Sequence, residues 1–244
     1  MRQFARFLIF LTFVFYSSGP IAAQDSLAVD TVVKTTRPLE STGKPGRYFK
    51  PKAVILPATL LLYGCLKPVI PAIQHLDEQI WDDVQKNHPD FRTHADDYLM
   101  WAPSASLYIM DAFKVKTKNR FYEHLIIDAS SIAVTGVIGF VMRKISGGIE
   151  EYNTHDTWFP SGHAANAFRG AEIVFQELKD SHPWLSYSGY LFATTVGVLR
   201  IYNKAHLLSE VLAGAGLGIL STKLTYFVFD KIKYSKKRTE NYKF

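Results

Sequence analysis

The sequence predicts an all-α fold, a helical bundle embedded in a membrane, and three observations carry that prediction. Apolar residues recur at steps of three and four or run unbroken over several turns, while no stretch alternates long enough for a strand. Hydrophobic residues make up 48% of the 244 and charged residues 20%, which is too apolar for intrinsic disorder. The basic residues stand in short blocks beside the apolar runs, as lipid headgroups favour. Despite a formal charge of +6 they form no aromatic-interleaved stripe, so nucleic acid is not an expected partner. The single cysteine, Cys65, excludes an internal disulfide framework and a multi-cysteine metal site.

Residues 1–23 read as a secretory signal, with a basic start through Arg6, an apolar run from Phe7 to Tyr16 and a small-residue exit at Ala22 and Ala23; an uncleaved anchor is the alternative. Residues 24–52 carry Pro38, Gly43, Pro45, Gly46 and Pro51 without apolar periodicity and read as a linker. A helical domain then occupies 53–230. Its first run, Ala53 to Cys65, is apolar but short of the roughly 20 residues a span requires. Asp77 to Asp97 is acidic and polar, and its His88 and His94 lack the spacing of a metal pair. Asp96 and Asp97 open a helix predicted from Tyr98 to Phe113, where carboxylates complement the helix dipole; that helix is expected to cross the membrane.

After the basic block Lys114 to Arg120, Leu125 to Met142 is the clearest membrane helix, with Asp128 expected to face protein. From Gly162 to Lys179, Ala164, Phe168, Ala171, Phe175 and Leu178 share one helical face, with Arg169, Glu172 and Gln176 elsewhere. Two further apolar helices are predicted over 187–199 and 208–229, and Gly214 with Gly218 in the second permits close helix approach. A basic tail, 231–244, closes the chain. With that tail and the Lys114 to Arg120 block on the cytoplasmic side, 125–142 runs outward and 208–229 returns inward.

Two clusters can carry chemistry. Pro160-Ser161-Gly162-His163 opens the amphipathic helix, and a helix N-terminus offers unpaired N–H groups to an oxyanion such as phosphate; plain helix capping is the other reading. Arg200, His206 and Glu210 follow at the junction of the last two helices. His206 and Glu210, four apart, lie on one face, where the carboxylate can fix the imidazole tautomer; a helix-end salt bridge is the alternative.

Together these clusters, followed by Val211-Leu212-Ala213-Gly214, resemble the second and third signature motifs of the type 2 phosphatidic acid phosphatase and vanadium haloperoxidase superfamily. The resemblance covers roughly Leu125 to Phe229 and reaches back toward Ala53. It implies a helical bundle of the phosphatidic acid phosphatase type 2 kind that hydrolyses phosphate monoesters or diphosphates, often on lipids, without a cofactor or metal. By the same resemblance His206 is the nucleophile that becomes phosphohistidine, Glu210 its carboxylate partner, His163 the acid for the leaving oxygen, and Arg200, Ser161 and Gly162 phosphate contacts. Arg143 falls at the lysine of the first motif, with Lys144 a further cation beside it, but Glu150 and Glu151 stand where the family has Arg-Pro. Carboxylates there repel a phosphate, so Lys144 or a loop rebuilt with His155 and Asp156 must compensate, or activity is lost. Leu199 replaces a serine, and Glu210 an aspartate.

The expected activity is therefore hydrolysis of a lipid phosphate or diphosphate at an extracytoplasmic site of a bacterial-type inner membrane, with the lipid and the membrane as partners. A soluble exported acid phosphatase in the periplasm and a catalytically inactive phosphate- or lipid-binding member are the alternatives.

Overall fold

A computed structural model describes residues 52–149, 152, 155 and 157–241. The predicted signal, most of the linker, Glu150, Glu151, Asp156 and the last three residues of the tail lie outside the described residues. Among those described the secondary structure is helical and no strand occurs, in accord with the predicted class. The helices are α1 (Lys52–Cys65), α2 (Pro71–Asn87), α3 (Ala95–Leu99), α4 (Ala102–Ala112), α5 (Phe121–Ser146), α6 (Gly162–Leu178), α7 (Ser188–Tyr202) and α8 (Leu208–Asn241), with a 3₁₀ turn at Leu185–Tyr187.

The organising element is α6, which packs against α4, α5, α7 and α8. Small residues make this burial feasible: Ala164, Ala165, Ala167, Gly170 and Ala171 let neighbouring backbones approach. The glycine pair on α8 is the counterpart. A Cβ on Gly214 would sit 2.4 Å from the Ser161 carbonyl oxygen, and one on Gly218 would sit 2.2 Å from that of Ala165.

Close burial on several sides corrects one expectation, that Arg169 and Glu172 lie away from the buried face. Both are fully enclosed and matched by buried partners. Arg169 bonds Asp128 (2.5 Å) and Ser131 (2.9 Å) from α5 and Ser104 (3.1 Å) from α4. Glu172 accepts from Lys223 at 2.6 Å and also from Tyr190. Asp128 thus faces protein, as predicted.

The helix predicted over 98–113 is two helices. Pro103 would clash with the carbonyl of Leu99 in a continuous helix, and α3 ends at that residue. The 11 residues of α4 give only about 17 Å, so the expected span is absent there. The polar stretch before it also holds a helix that the sequence reading passed over. In α2 only Ile73, Asp77 and Val84 are buried, and Asp77 accepts from the Ser209 N–H (3.0 Å) and hydroxyl (2.5 Å) at the start of α8.

Among the described residues two helices are long and apolar enough to cross a membrane, Phe121–Ser146 and Leu208–Lys233. They differ in surroundings. The second is mostly buried in the bundle, whereas the first exposes Leu125, Ile126, Val137, Phe140, Val141 and Ile145.

Candidate active site

The site forms where the N-termini of α6 and α8 meet the C-terminal end of α7. Ser161 caps α6, its hydroxyl 3.5 Å from the Ala164 N–H, and its own N–H donates to the Glu210 carbonyl at 3.1 Å. That bond ties the first predicted cluster to the second. Gly162 follows with open space where a Cβ would stand, so its backbone is approachable.

Nδ1 of His206 lies 2.8 Å from Oε2 of Glu210, and both side chains are buried. An ionised carboxylate can only accept, so Nδ1 carries the proton and Nε2 keeps its lone pair. The carboxylate is itself held: Oε1 accepts from the Thr157 hydroxyl at 2.5 Å, and Oε2 also accepts from the Leu207 N–H at 3.2 Å. Burial pushes the His206 imidazole below the usual histidine range; Glu210 opposes this shift, and the positive charges of Arg200 and His163 reinforce it. The ring is thus neutral at neutral pH and its free nitrogen nucleophilic.

The other predicted residues converge on α3. Nε2 of His163 is 2.8 Å from Oδ1 of Asp97, whose Oδ2 is 3.3 Å from His94 Nδ1. Hydrogen bonds from His163 and then His94 hold the Asp97 carboxyl below the usual carboxylate range. Arg200 donates to Asp96 at 2.8 Å, and Asn203 donates to the other oxygen of Asp96 at 3.0 Å. The Nε of Arg200 is buried and has no hydrogen-bond partner among the described residues.

Arg143 and Lys144 come from the last turn of α5. The Arg143 guanidinium lies over the Trp158 ring, 5.0 Å from its centroid, at the edge of a cavity that Pro160 and Gly162 also line. Lys144 is exposed on α5 beside the Phe140 ring, and no contact joins it to either histidine among the described residues. His155 is bonded to Glu78 at 3.0 Å and stacked on Trp81 at 4.3 Å, which anchors the loop before Thr157 to α2.

Asp96, Asp97, Asn203 and Thr157 were missed by the sequence reading. Asp96 and Asp97 do stand in the first turn of α3, but Asp96 is buried against a residue 104 positions away, which no local spacing signals. One ligand atom from each of Asp96, Asp97 and His163 falls within 4.8 Å of the others, close enough to hold a cation. Each of those residues already has a hydrogen-bonded partner in Arg200, Asn203, His94 or one another.

The PAP2 superfamily model matches residues 87–234, well over half of the chain, and the chain belongs to that superfamily. Among curated proteins it is 32% identical over 143 residues to a lipid A 1-phosphatase of Porphyromonas gingivalis, a match covering 58% of this chain and 32% of that protein. The chain therefore spans about a third of that relative's length. Among solved structures it is similar to the transmembrane PAP2-type phosphatidylglycerolphosphate phosphatase of Bacillus subtilis, at 21% identity and a TM-score of 0.45, over 72% of this chain and 97% of the other.

Proposed function

We propose that the protein is a membrane-embedded phosphatase that hydrolyses a lipid phosphate or diphosphate through a phosphohistidine on His206. The observation that carries this reading is the buried His206–Glu210 pair, at 2.8 Å, set beside the N-terminus of α6. Nε2 attacks phosphorus, the bond to the leaving oxygen breaks, and His163 gives that oxygen its proton. In the free protein His163 Nε2 lies 2.8 Å from Asp97 Oδ1, and in the reaction this contact gives way to one with the leaving oxygen. Water, activated by the now neutral His163, then cleaves the N–P bond and frees phosphate. Arg200, through its unpartnered Nε, and the amides of Gly162 and His163 hold the phosphoryl oxygens as charge builds. None of these steps calls for a metal.

The relative named as a lipid A 1-phosphatase supports a lipid substrate. The exposed apolar face of α5 supports embedding over a soluble exported enzyme, because a patch of that size is costly in water. The positions of the basic blocks favour an extracytoplasmic site in an inner membrane.

A second reading, an inactive phosphate or lipid binder, is favoured by one feature. Arg200 and His163 each already contact a carboxylate, Arg200 that of Asp96 and His163 that of Asp97, with Glu150 and Glu151 adding two more charges in sequence. Phosphate release from a panel of lipid phosphates, with wild type and His206→Ala in parallel, separates the readings: the enzyme loses all turnover in the variant, whereas the binder shows none in either. Vanadate titration of Glu150→Arg with Glu151→Pro then reports how far those charges weaken the site. Tighter binding by about ten- to a hundredfold is expected if they face the phosphate.

A further inference from the structure

A cavity of about 330 Å³ begins at Gly162 and Arg143, beside the site, and runs between α5 and α6 with Leu217 of α8 behind it. On α5 its wall is formed at positions 143, 139, 136, 135 and 132, so it follows that helix for about 16 Å away from the phosphate end. The wall is largely apolar. Ile132 and Phe140 on its rim are exposed, so the groove opens sideways onto the same apolar face of α5 that has no protein cover. Gly136 leaves open space where a side chain would stand, and Gly139 meets only Leu217, at 3.6 Å.

One buried polar atom of this wall lacks a partner. Thr135 lines the groove, is 8% exposed, and its hydroxyl has no hydrogen-bond partner among the described residues. Of the other polar residues of the wall, Arg169 is committed to Asp128, Ser131 and Ser104, Asn166 to Arg169 and the Met100 carbonyl, and Arg143 lies over the Trp158 ring. A buried hydroxyl left unmade is costly, and a ligand carrying a matching group would satisfy it.

We propose that this groove receives a hydrocarbon chain of the substrate and that Thr135 meets a hydrogen-bonding group on that chain. The inference rests on the phosphatase reading of the adjoining site and narrows its substrate class. Lipids whose chains carry an ester or amide carbonyl or a hydroxyl satisfy Thr135, whereas polyprenyl phosphates, with chains of hydrocarbon alone, do not. The occupant is a lipid chain because the groove is apolar, opens toward the uncovered face of α5, and ends at a phosphate-binding helix terminus with Arg143 at its mouth.

The test uses the full chain in lipid nanodiscs and three substrates: a diacylglycerol phosphate, a polyprenyl phosphate of matched length and a water-soluble aryl phosphate. Wild type should favour the acyl lipid over the polyprenyl one. Thr135→Val, which keeps the shape and removes the hydroxyl, should reduce that ratio about fivefold or more. Gly136→Leu, which fills the groove, should lower kcat/KM for both lipids about tenfold relative to the aryl phosphate. An unchanged acyl-to-polyprenyl ratio in Thr135→Val, or an unchanged lipid-to-aryl ratio in Gly136→Leu, overturns the proposal. Photocrosslinking of the His206→Ala protein with a diazirine-bearing acyl phosphate tests the groove without catalysis. Labels between Ile132 and Phe140, with no turnover by wild type, uphold the groove and refute the phosphatase; turnover with labels elsewhere does the reverse.

Discussion

His206 and Glu210 were legible in the sequence as a pair four apart, and the structure joins them at 2.8 Å, although His206 stands in the turn before α8 and reaches Glu210 in its first turn rather than sharing a helical face with it. Asp96 and Asp97 were not, since their partners come from α6 and α7 and a carboxylate pair at a helix start has an ordinary explanation in the dipole. Two predictions belong to single residues. On the proposed mechanism the attacking form of His206 is neutral, so activity should fall as pH drops through its pKa, and a pKa held below the usual value should keep activity into mildly acidic solution. Glu210 is the group that opposes this lowering, so Glu210→Gln should move the acid limb of kcat/KM to still lower pH while reducing kcat. An acid limb displaced upward would contradict the pairing. His163→Ala should cost most with alkyl phosphates and least with an activated aryl phosphate, because only the former need a proton at the departing oxygen. Equal losses on both would remove His163 from the acid role.

At the scale of elements, the apolar helices were readable because their burial or lipid exposure is written in long hydrophobic runs, and the Gly214 and Gly218 pair marked the α6–α8 crossing. What was lost had physical causes. Pro103 divides a stretch whose composition suits a single helix, and α2 buries so few residues that its polar faces hide its period. The crossing yields a stability prediction. Gly218→Ala places a methyl 2.2 Å from the Ala165 carbonyl oxygen, whereas Gly136→Ala meets nothing within 4 Å. Gly218→Ala should therefore lose about 1–3 kcal/mol of stability in detergent, read from unfolding midpoints, while Gly136→Ala should be neutral or slightly stabilising. Equal midpoints for the two variants would mean that α6 and α8 do not cross so closely.

For the whole molecule, the described polar interior is consistent with a bundle that lacks water to solvate its charges. Arg169 is paired with Asp128, Lys223 with Glu172, and Lys118 with Asp230. The topology follows from which loops share an end. The Ser181 hydroxyl donates to the Lys116 carbonyl at 2.6 Å, which sets the turn after α6 beside the basic block, at the other end of that helix from the Pro160-Ser161-Gly162-His163 turn. In a Cys65→Ser background, a cysteine at exposed Asp90 should react with an impermeant thiol reagent in spheroplasts, and one at exposed Trp184 only after permeabilisation. The reverse pattern would invert the protein in its membrane. The central claim, that His206 itself carries the phosphoryl group, is tested most directly by acid-free quenching of a single turnover with a radiolabelled aryl phosphate. We use His163→Asn, in which formation of the intermediate needs no proton but its hydrolysis lacks a base. A base-stable, acid-labile label on the peptide containing His206, absent when His206 is also replaced by alanine, is the result expected; product release with no protein-bound phosphate, or a label that survives the loss of His206, would contradict it.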